Sequence, residues 1–284
     1  MKKVGILPNT RKDVNYDATK RLVAFLLEAG CRPMLSERLG HIKELREHCV
    51  KEETLYRETE FLIALGGDGT MLSCSKKAAK YAKPLLGINL GHLGFLTDGG
   101  REGMEASVKN VILGNYKLEK RMMLQSEINS SKEGKRTVIA LNEVSIARGS
   151  MVDVGVYIND EFIDNFFGDG ILVSTPTGST AYNLAAGGPI LKSDADIVAI
   201  TPICPHMLHS RSIVTGGNDI ITLKVNRYTR QKIFAVIDGQ NNCTLEMGDT
   251  ISIKKSKLCA GIIKTGDLGF YDVLRDKMQV GGGR

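Results

Sequence analysis

Phe61-Leu62-Ile63-Ala64-Leu65-Gly66-Gly67-Asp68-Gly69-Thr70 is the most informative stretch of this chain. An apolar run of β type stops at three glycines set around one acid, and Thr70 then opens a helical pattern over residues 71–80. Glycines let the backbone approach a ligand closely and adopt positive φ. A strand, a glycine-rich turn and a helix N-terminus form an anion cradle, because free N–H groups and the helix dipole both favour phosphate. Asp68 is out of place in a simple phosphate cradle, since it repels the ligand. It fits if it holds a cation shared with phosphates or accepts a proton from an attacking hydroxyl. It also fits an ordinary tight turn in which the carboxylate caps the helix.

On either side of this stretch the first 118 residues alternate strand and helix signals. Residues 4–7 read as a strand. Leu22, Val23, Phe25, Leu26 and Ala29 recur at helical spacing, with Gly30 placed to end the helix. Residues 84–89 read as a further strand and 102–114 as a helix ending at Gly114. This alternation predicts an α/β domain with a parallel sheet, and the Gly66 turn then lies at its carboxyl edge, where such folds bind ligands. Beyond residue 118 the segments 122–128, 137–146, 152–158, 220–225, 233–237 and 250–253 are short and rich in β-branched residues. Turn signals such as Asn129-Ser130-Ser131, Asn159-Asp160, Gly216-Gly217-Asn218 and Gly248-Asp249 separate them. They predict an all-β, sandwich-like C-terminal domain. Residues 270–278 read as a helix that returns to the first domain, and Gly281-Gly282-Gly283 as a terminal tail. The expected division is 1–118 with 262–284, and 119–261.

Composition narrows the classes. The 284 residues are 42% hydrophobic and 25% charged, ordinary values for a folded chain. A net charge of +6 suits a polyanionic small molecule, and it is too scattered for nucleic acid. The six cysteines (Cys31, Cys49, Cys74, Cys204, Cys243, Cys259) show no paired spacing. They read as buried thiols of a reducing compartment, not as a zinc site. The apolar run at the N-terminus is too short for a signal peptide, and no 18-residue apolar stretch is present to span a membrane. A cytoplasmic location is expected.

Further segments carry chemistry. Thr175-Pro176-Thr177-Gly178-Ser179-Thr180-Ala181-Tyr182-Asn183 follows a strand-like run and precedes Ala185-Ala186-Gly187-Gly188. Its hydroxyls, small residues and one ring could bind a nucleoside and stack on its base, although hydroxyl-rich turns are common. Gly168-Asp169-Gly170 sets a second acid between glycines. Asn142-Glu143 falls in the middle of the β run 139–146, where neighbours point to opposite faces. Buried there, the pair wants partners; ribose hydroxyls would serve, and so would an exposed strand end. His92 in Gly91-His92-Leu93-Gly94-Phe95-Leu96 reads equally as a site residue or a structural one. Asp238-Gly239-Gln240 reads first as a hairpin turn. His206 and His209, near Cys204, do not complete a metal set. No nucleophile elbow and no Walker-type lysine loop is present.

Taken in order, the Gly66 to Thr70 motif, Gly91-His92-Leu93-Gly94-Phe95, Asn142-Glu143 and Thr175 to Tyr182 resemble the bacterial NAD kinases, from the first strand to Phe270-Tyr271-Asp272-Val273-Leu274-Arg275. The glycine-acid motif alone is shared with diacylglycerol-type lipid kinases and phosphofructokinases, whereas the Thr175 segment is not. Ala147 and Phe167 depart from the pattern, where a larger side chain and an arginine are expected. The resemblance implies transfer of the terminal phosphoryl of ATP to the 2′-hydroxyl of the adenosine ribose of NAD, with Mg²⁺. It assigns Asp68 to the hydroxyl or the metal, and the backbone of Gly66, Gly67, Gly69 and Thr70 to phosphates. Asn142 and Glu143 go to ribose, and Phe95, Thr180, Ala181 and Tyr182 to base pockets. Asp169 goes to a base amide, with Thr177 and Gln240 completing the NAD set. It also implies a dimer or tetramer. The competing readings are a soluble lipid kinase, which needs a basic amphipathic surface that is not visible, and a non-catalytic NAD(P)-sensing module.

Overall fold

The computed structural model describes residues 1–91, 94–207, 209–227, 232–266 and 268–280. His92 and the glycines at 281–283 lie outside these residues. The elements in chain order are β1 (Lys3–Pro8), α1 (Asp17–Glu28), β2 (Arg32–Ser36), β3 (Cys49–Val50), α2 (Glu52–Glu58), β4 (Phe61–Gly66), α3 (Asp68–Lys80), β5 (Leu85–Asn89), β6 (Gly99–Gly100) and α4 (Met104–Leu113). There follow β7 (Lys117–Ser130), β8 (Gly134–Ala140), β9 (Glu143–Ile158), β10 (Glu161–Ser174) and α5 (Tyr182–Ala185). The chain continues with β11 (Ile197–Ile203), β12 (Ile213–Gly216), β13 (Ile221–Val225), β14 (Ile233–Ile237), β15 (Gln240–Leu245), β16 (Thr250–Lys264) and α6 (Phe270–Val280). It divides into two compact units, Met1–Lys120 with Ala260–Arg284, and Arg121–Cys259.

In the first unit β1 pairs in parallel with β2 on one side and β4 on the other, and β4 pairs in parallel with β5. β2 continues to β3, so the spatial order is β3-β2-β1-β4-β5 and the direction of winding reverses between β1 and β4. Every residue of β4 is buried, as expected of a parallel strand covered on both faces. Val4, Ile6, Leu22, Leu26, Ile63 and Leu65 form its core with Val108 of α4. Helix α1 has no side-chain cap at the residue preceding it, Tyr16, which is in the left-handed region (φ +59°). Asp13, 3% exposed, does that work from further back. Its carboxylate accepts from the amides of Ala18 (2.9 Å) and Thr19 (2.9 Å) and from the Thr19 hydroxyl (2.5 Å).

The strand pairs described within the second unit are antiparallel. β9 and β10 form one long hairpin, and β9 uses its other edge twice, pairing residues 144–147 with β14 and 154–158 with β13. The strand therefore serves two stretches of partner, and Val144, Ile146, Val154 and Val156 all enter one core. Asn159 (φ +51°) and Asp160 (φ +66°) turn the hairpin, the positive pair that a two-residue type I′ connection needs. A register shift falls between Gly168 and Gly170, and Asp169 has no ladder partner among the described residues. Such irregularities re-aim a side chain.

Three expectations need correction. The run 137–146 is not one strand: β8 ends at Ala140 and β9 begins at Glu143, so Asn142 lies between strands and Glu143 opens the next. Helix α3 begins at Asp68 rather than Met71, which places the acid and Thr70 in its first turn. The six cysteines are all free, but only Cys31 and Cys243 are buried, while Cys204 and Cys259 are exposed.

Because the amides of Ala18 and Thr19 have no other carboxylate, Asp13→Ala should cost about 1–3 kcal/mol, the scale of a lost N-cap plus buried unpaired donors. Urea unfolding with unchanged slope reads this directly; a midpoint equal to wild type would remove Asp13 from the cap.

Candidate active site

The reversal between β1 and β4 splays their following loops apart, and a cleft of about 510 Å³ opens there, lined by Pro8, Asn9, Arg11, Arg38, Thr70 and Ser73 among others. Ligands of open α/β sheets sit at such switch points. The two loops are tied together: Asn9 Nδ2 donates to Thr70 Oγ1 (2.9 Å), while Asn9 Oδ1 accepts from the amides of Arg11 (3.0 Å) and Lys12 (3.3 Å). The Lys12 ammonium lies over the glycine turn, 3.1 Å from where a Cβ on Gly67 would stand. Two groups in the cleft wall are held neutral. Burial pushes the Cys74 thiol and the Tyr56 hydroxyl above their usual ranges.

Gly66 acts here by space, whereas a Cβ on Gly69 would meet nothing within 4 Å. None of Gly66, Gly67 and Gly69 is in the left-handed region, contrary to the expectation of positive φ. Instead a Cβ on Gly66 would overlap the Thr70 side chain. Nor does Asp68 cap its own helix. Its two oxygens accept from the amides of Phe95 (2.8 Å) and Leu96 (3.0 Å), and a Cβ on Gly94 would collide with the carboxylate. The loop after β5 is held to match: Thr97 Oγ1 accepts from Gly94 N (2.9 Å), and Asn89 Oδ1 accepts from Gly91 N (2.7 Å). Phe95 itself packs on α6, 6.0 Å from the Phe270 ring, with Lys277 Nζ 5.9 Å from its centroid.

The second unit builds a polar pocket around Asn142 and Glu143. Asp238 Oδ1 accepts from the amides of Asn142 (2.8 Å) and Glu143 (3.2 Å), and its Oδ2 from Leu141 N (3.1 Å). From the opposite side Thr175 Oγ1 donates to Leu141 O (2.6 Å) and Thr175 N to Asn142 O (2.9 Å). Gly178 has no room for a Cβ against the Asn142 carbonyl. Ser179 and Asn183 brace the turn from beneath through Leu191, Pro189 and Thr201. Asn142 Oδ1 and Thr177 Oγ1 are buried and find no partner among the described residues. Buried polar atoms are normally paired.

Tyr182 is 43% exposed. Burial raises its hydroxyl pKa, and Cys204, Asp169 and Glu143 raise it further, so the ring carries a protonated donor beside two carboxylates. Asp169, Glu143 and Tyr182 are thus brought together. Thr180 donates to Thr177 O (3.5 Å), and Ala181 precedes α5. Gln240 is exposed at the start of β15, and the hairpin that carries it brings Asp238, not Gln240, to Asn142. His206 packs edge-on against Phe167, with 5.7 Å between centroids. No group of three or more His, Cys, Asp or Glu side chains that could hold a metal occurs among the described residues. Asn9, Lys12, Thr175 and Asp238 were not read as site residues in their own right. Asn9 and Lys12 follow β1, and a reversal beside β4 would have singled that loop out. Asp238 gave no local signal beyond its turn.

Residues 4–116 match the model of the ATP-NAD kinase N-terminal domain and residues 141–265 that of the ATP-NAD kinase C-terminal domain. The chain is 41% identical over 281 residues to an NAD kinase of Caldanaerobacter subterraneus subsp. tengcongensis, covering 98% of this chain and 99% of the relative. It is 37% identical over 283 residues to an NAD kinase of Acetivibrio thermocellus, covering 98% and 97%. Among solved structures, yeast NADH kinase complexed with NADH aligns with a TM-score of 0.87 at 22% identity, over 99% of this chain and 88% of that one. An NAD kinase from Archaeoglobus fulgidus in complex with ATP aligns at 0.74 and 22%, over 98% of each chain. These two share its fold.

Gly94→Ala drives a methyl group into the Asp68 carboxylate and should destabilise by about 1–3 kcal/mol, the cost of overpacking. Gly100→Ala, which meets nothing within 4 Å, should stay within about 0.5 kcal/mol. Equal unfolding midpoints for the two variants would show that the Asp68 carboxylate does not press on Gly94.

Proposed function

The chain belongs to the ATP-NAD kinase family, and from that membership we propose that it transfers the terminal phosphoryl group of ATP to the 2′-hydroxyl of the adenosine ribose of NAD. The reaction class, phosphotransfer to an alcohol, follows from the family. Relatives named NAD kinase over the full length favour it over the lipid-kinase and sensing readings.

The observation that carries the assignment is the Asp68 carboxylate, fixed by two backbone amides at the first turn of α3. A carboxylate so held keeps its orientation without a second acid, and it is placed to take a proton. The 2′-oxygen bonds to the terminal phosphorus, the bond from that phosphorus to the bridging oxygen breaks, ADP leaves, and the hydroxyl proton passes to Asp68. The transition state is loose, so positioning and neutralisation supply most of the rate. The N-terminal end of the α3 dipole, with the turn at Gly66, Gly67, Gly69 and Thr70, and the Lys12 ammonium offer positive charge to phosphate oxygens, although Thr70 N already donates to Gly67 O (2.9 Å) and Gly67 N to Thr70 Oγ1 (3.4 Å). This lysine does what a Walker-type lysine does elsewhere, from a different loop.

The orphaned Asn142 Oδ1 and Thr177 Oγ1 support a hydroxyl-bearing ligand, and we assign Asn142 and Glu143 to the ribose. Tyr182, Thr180 and Ala181 offer a stacking surface, and Asp169, re-aimed by the break in register, offers an acceptor for a base amide. We assign Phe95, Thr177 and Gln240 to the NAD site with them. Mg²⁺ suits these residues: it keeps several waters and binds through one or two carboxylates plus substrate phosphates, not in a protein cage. Asp68 is the carboxylate that would hold it, and the ion would neutralise charge on the transferring phosphoryl. A dimer or tetramer in the cytoplasm completes the reading. In support, no helix among the described residues is long and apolar enough to cross a membrane.

Incubation with NAD, ATP and Mg²⁺ should yield NADP by enzymatic detection, and its absence would refute the assignment. Asp68→Asn should keep the fold while kcat falls about 10²- to 10⁴-fold, the usual range for a general base. A variant retaining half of wild-type turnover takes Asp68 out of the chemistry. A site built around one hydroxyl rejects the analogue that lacks it. NAD carrying 2′-deoxyadenosine should therefore bind and give no product; phosphorylation of that analogue would mean that another hydroxyl is the acceptor.

A further inference from the structure

We propose that Asp238 is a positioning residue for the nucleotide, setting Asn142 and Glu143 in place to receive ribose and so governing NAD affinity from 95 residues away. This rests on the assignment of that pair to ribose. Asp238 is 8% exposed. Its carboxylate accepts three consecutive amides, at 3.1 Å from Leu141, 2.8 Å from Asn142 and 3.2 Å from Glu143. Its own amide donates back to Glu143 O (3.0 Å). Pairing of β14 with β9, Ile237 against Val144, delivers it there.

Three successive N–H groups converging on one carboxylate cannot also point alternately to two ladder partners. This explains why β8 stops at Ala140 and β9 starts only at Glu143. The carbonyls of the same segment are taken from the other side by Thr175. With amides and carbonyls both fixed, the backbone of Asn142 and Glu143 has no rotation left, and their side chains stand ready before the ligand arrives. Pre-organisation of that kind acts on affinity, because the segment is not ordered at the moment of binding.

A turn requirement alone does not account for an acid here. Asp238 (φ +49°) and Gly239 (φ +74°) form a type I′ hairpin turn, for which Asn-Gly is as good as Asp-Gly. Asparagine, however, offers one carbonyl acceptor and turns an NH₂ group toward the remaining amides. Asp238→Asn therefore keeps the turn and removes the three-amide cradle.

The test compares Asp238→Asn with Glu143→Gln and Asn142→Ala in the full chain. NAD is titrated by calorimetry, KM for NAD and for ATP and kcat are measured, and each protein is melted. The expected result for Asp238→Asn is NAD affinity weakened by about 10- to 100-fold, the equivalent of one charge-assisted hydrogen bond. The loss should fall on KM for NAD, with KM for ATP within about twofold. Unchanged NAD affinity in Asp238→Asn, with weakened affinity in the other two, would overturn the role of Asp238 and leave the ribose assignment standing. Unchanged affinity in Glu143→Gln and Asn142→Ala would overturn the ribose assignment and the inference with it. If Asp238→Asn does not fold, Asp238→Glu carries the same readout. It keeps the charge, but its longer side chain cannot reach all three amides, and wild-type affinity in it would likewise overturn the proposal.

Discussion

Parallel pairing of β4 with β1 on one edge and β5 on the other is the constraint from which the cleft of the first unit follows. All three strands run the same way, so their carboxyl ends lie along one edge of the sheet. Because β2 continues outward from β1 and β5 from β4, the loops after β1 and β4 must leave in opposite directions. The opening between them needs no residue to create it. The residues then decide what enters: Asn9 ties the two loops, Lys12 brings a cation over Gly67, and the first turn of α3 supplies N–H groups. A cation and a helix N-terminus at one strand edge favour an anion on Coulombic grounds.

Irregular backbone is fixed in both units by one recurring device, a carboxylate accepting from successive amides. Asp13 does this for the start of α1, Asp68 for the loop at Phe95 and Leu96, and Asp238 for residues 141–143. Asp249 instead joins two amides distant in sequence, those of Ser131 and Glu246. Charge-assisted bonds of this kind are stronger than neutral ones and suit places where no ladder or helix can satisfy the N–H groups. At Asp68 the device has a second use. The same two bonds that hold a loop also fix the orientation of the carboxylate that we assign to the reaction.

Glycine serves both units chiefly by occupying little space. Gly66 yields to Thr70, Gly94 to Asp68, and Gly178 to the Asn142 carbonyl, and all three lie within a residue or two of proposed ligand-binding groups. Close packing of polar groups around each of these glycines leaves few rotamers open.

The residue pattern alone was enough for the alternation of strand and helix up to α4, the shift to antiparallel β structure beyond residue 118, and the four motifs that carry the family resemblance. Periodicity of 3.6 or 2 and turn chemistry are local properties, so they can be read locally. Glycine-rich turns are legible for the same reason, but at Gly66 the cause is lack of room and not backbone freedom. The fold alone could settle where β8 and β9 part, why Asp68 faces Phe95 and Leu96 instead of its own helix, and what Asp238 holds. Each of these depends on a contact between residues 27 to 97 positions apart. No local window contains both partners, and a carboxylate reads the same in sequence whether it ends a hairpin in water or gathers three buried amides.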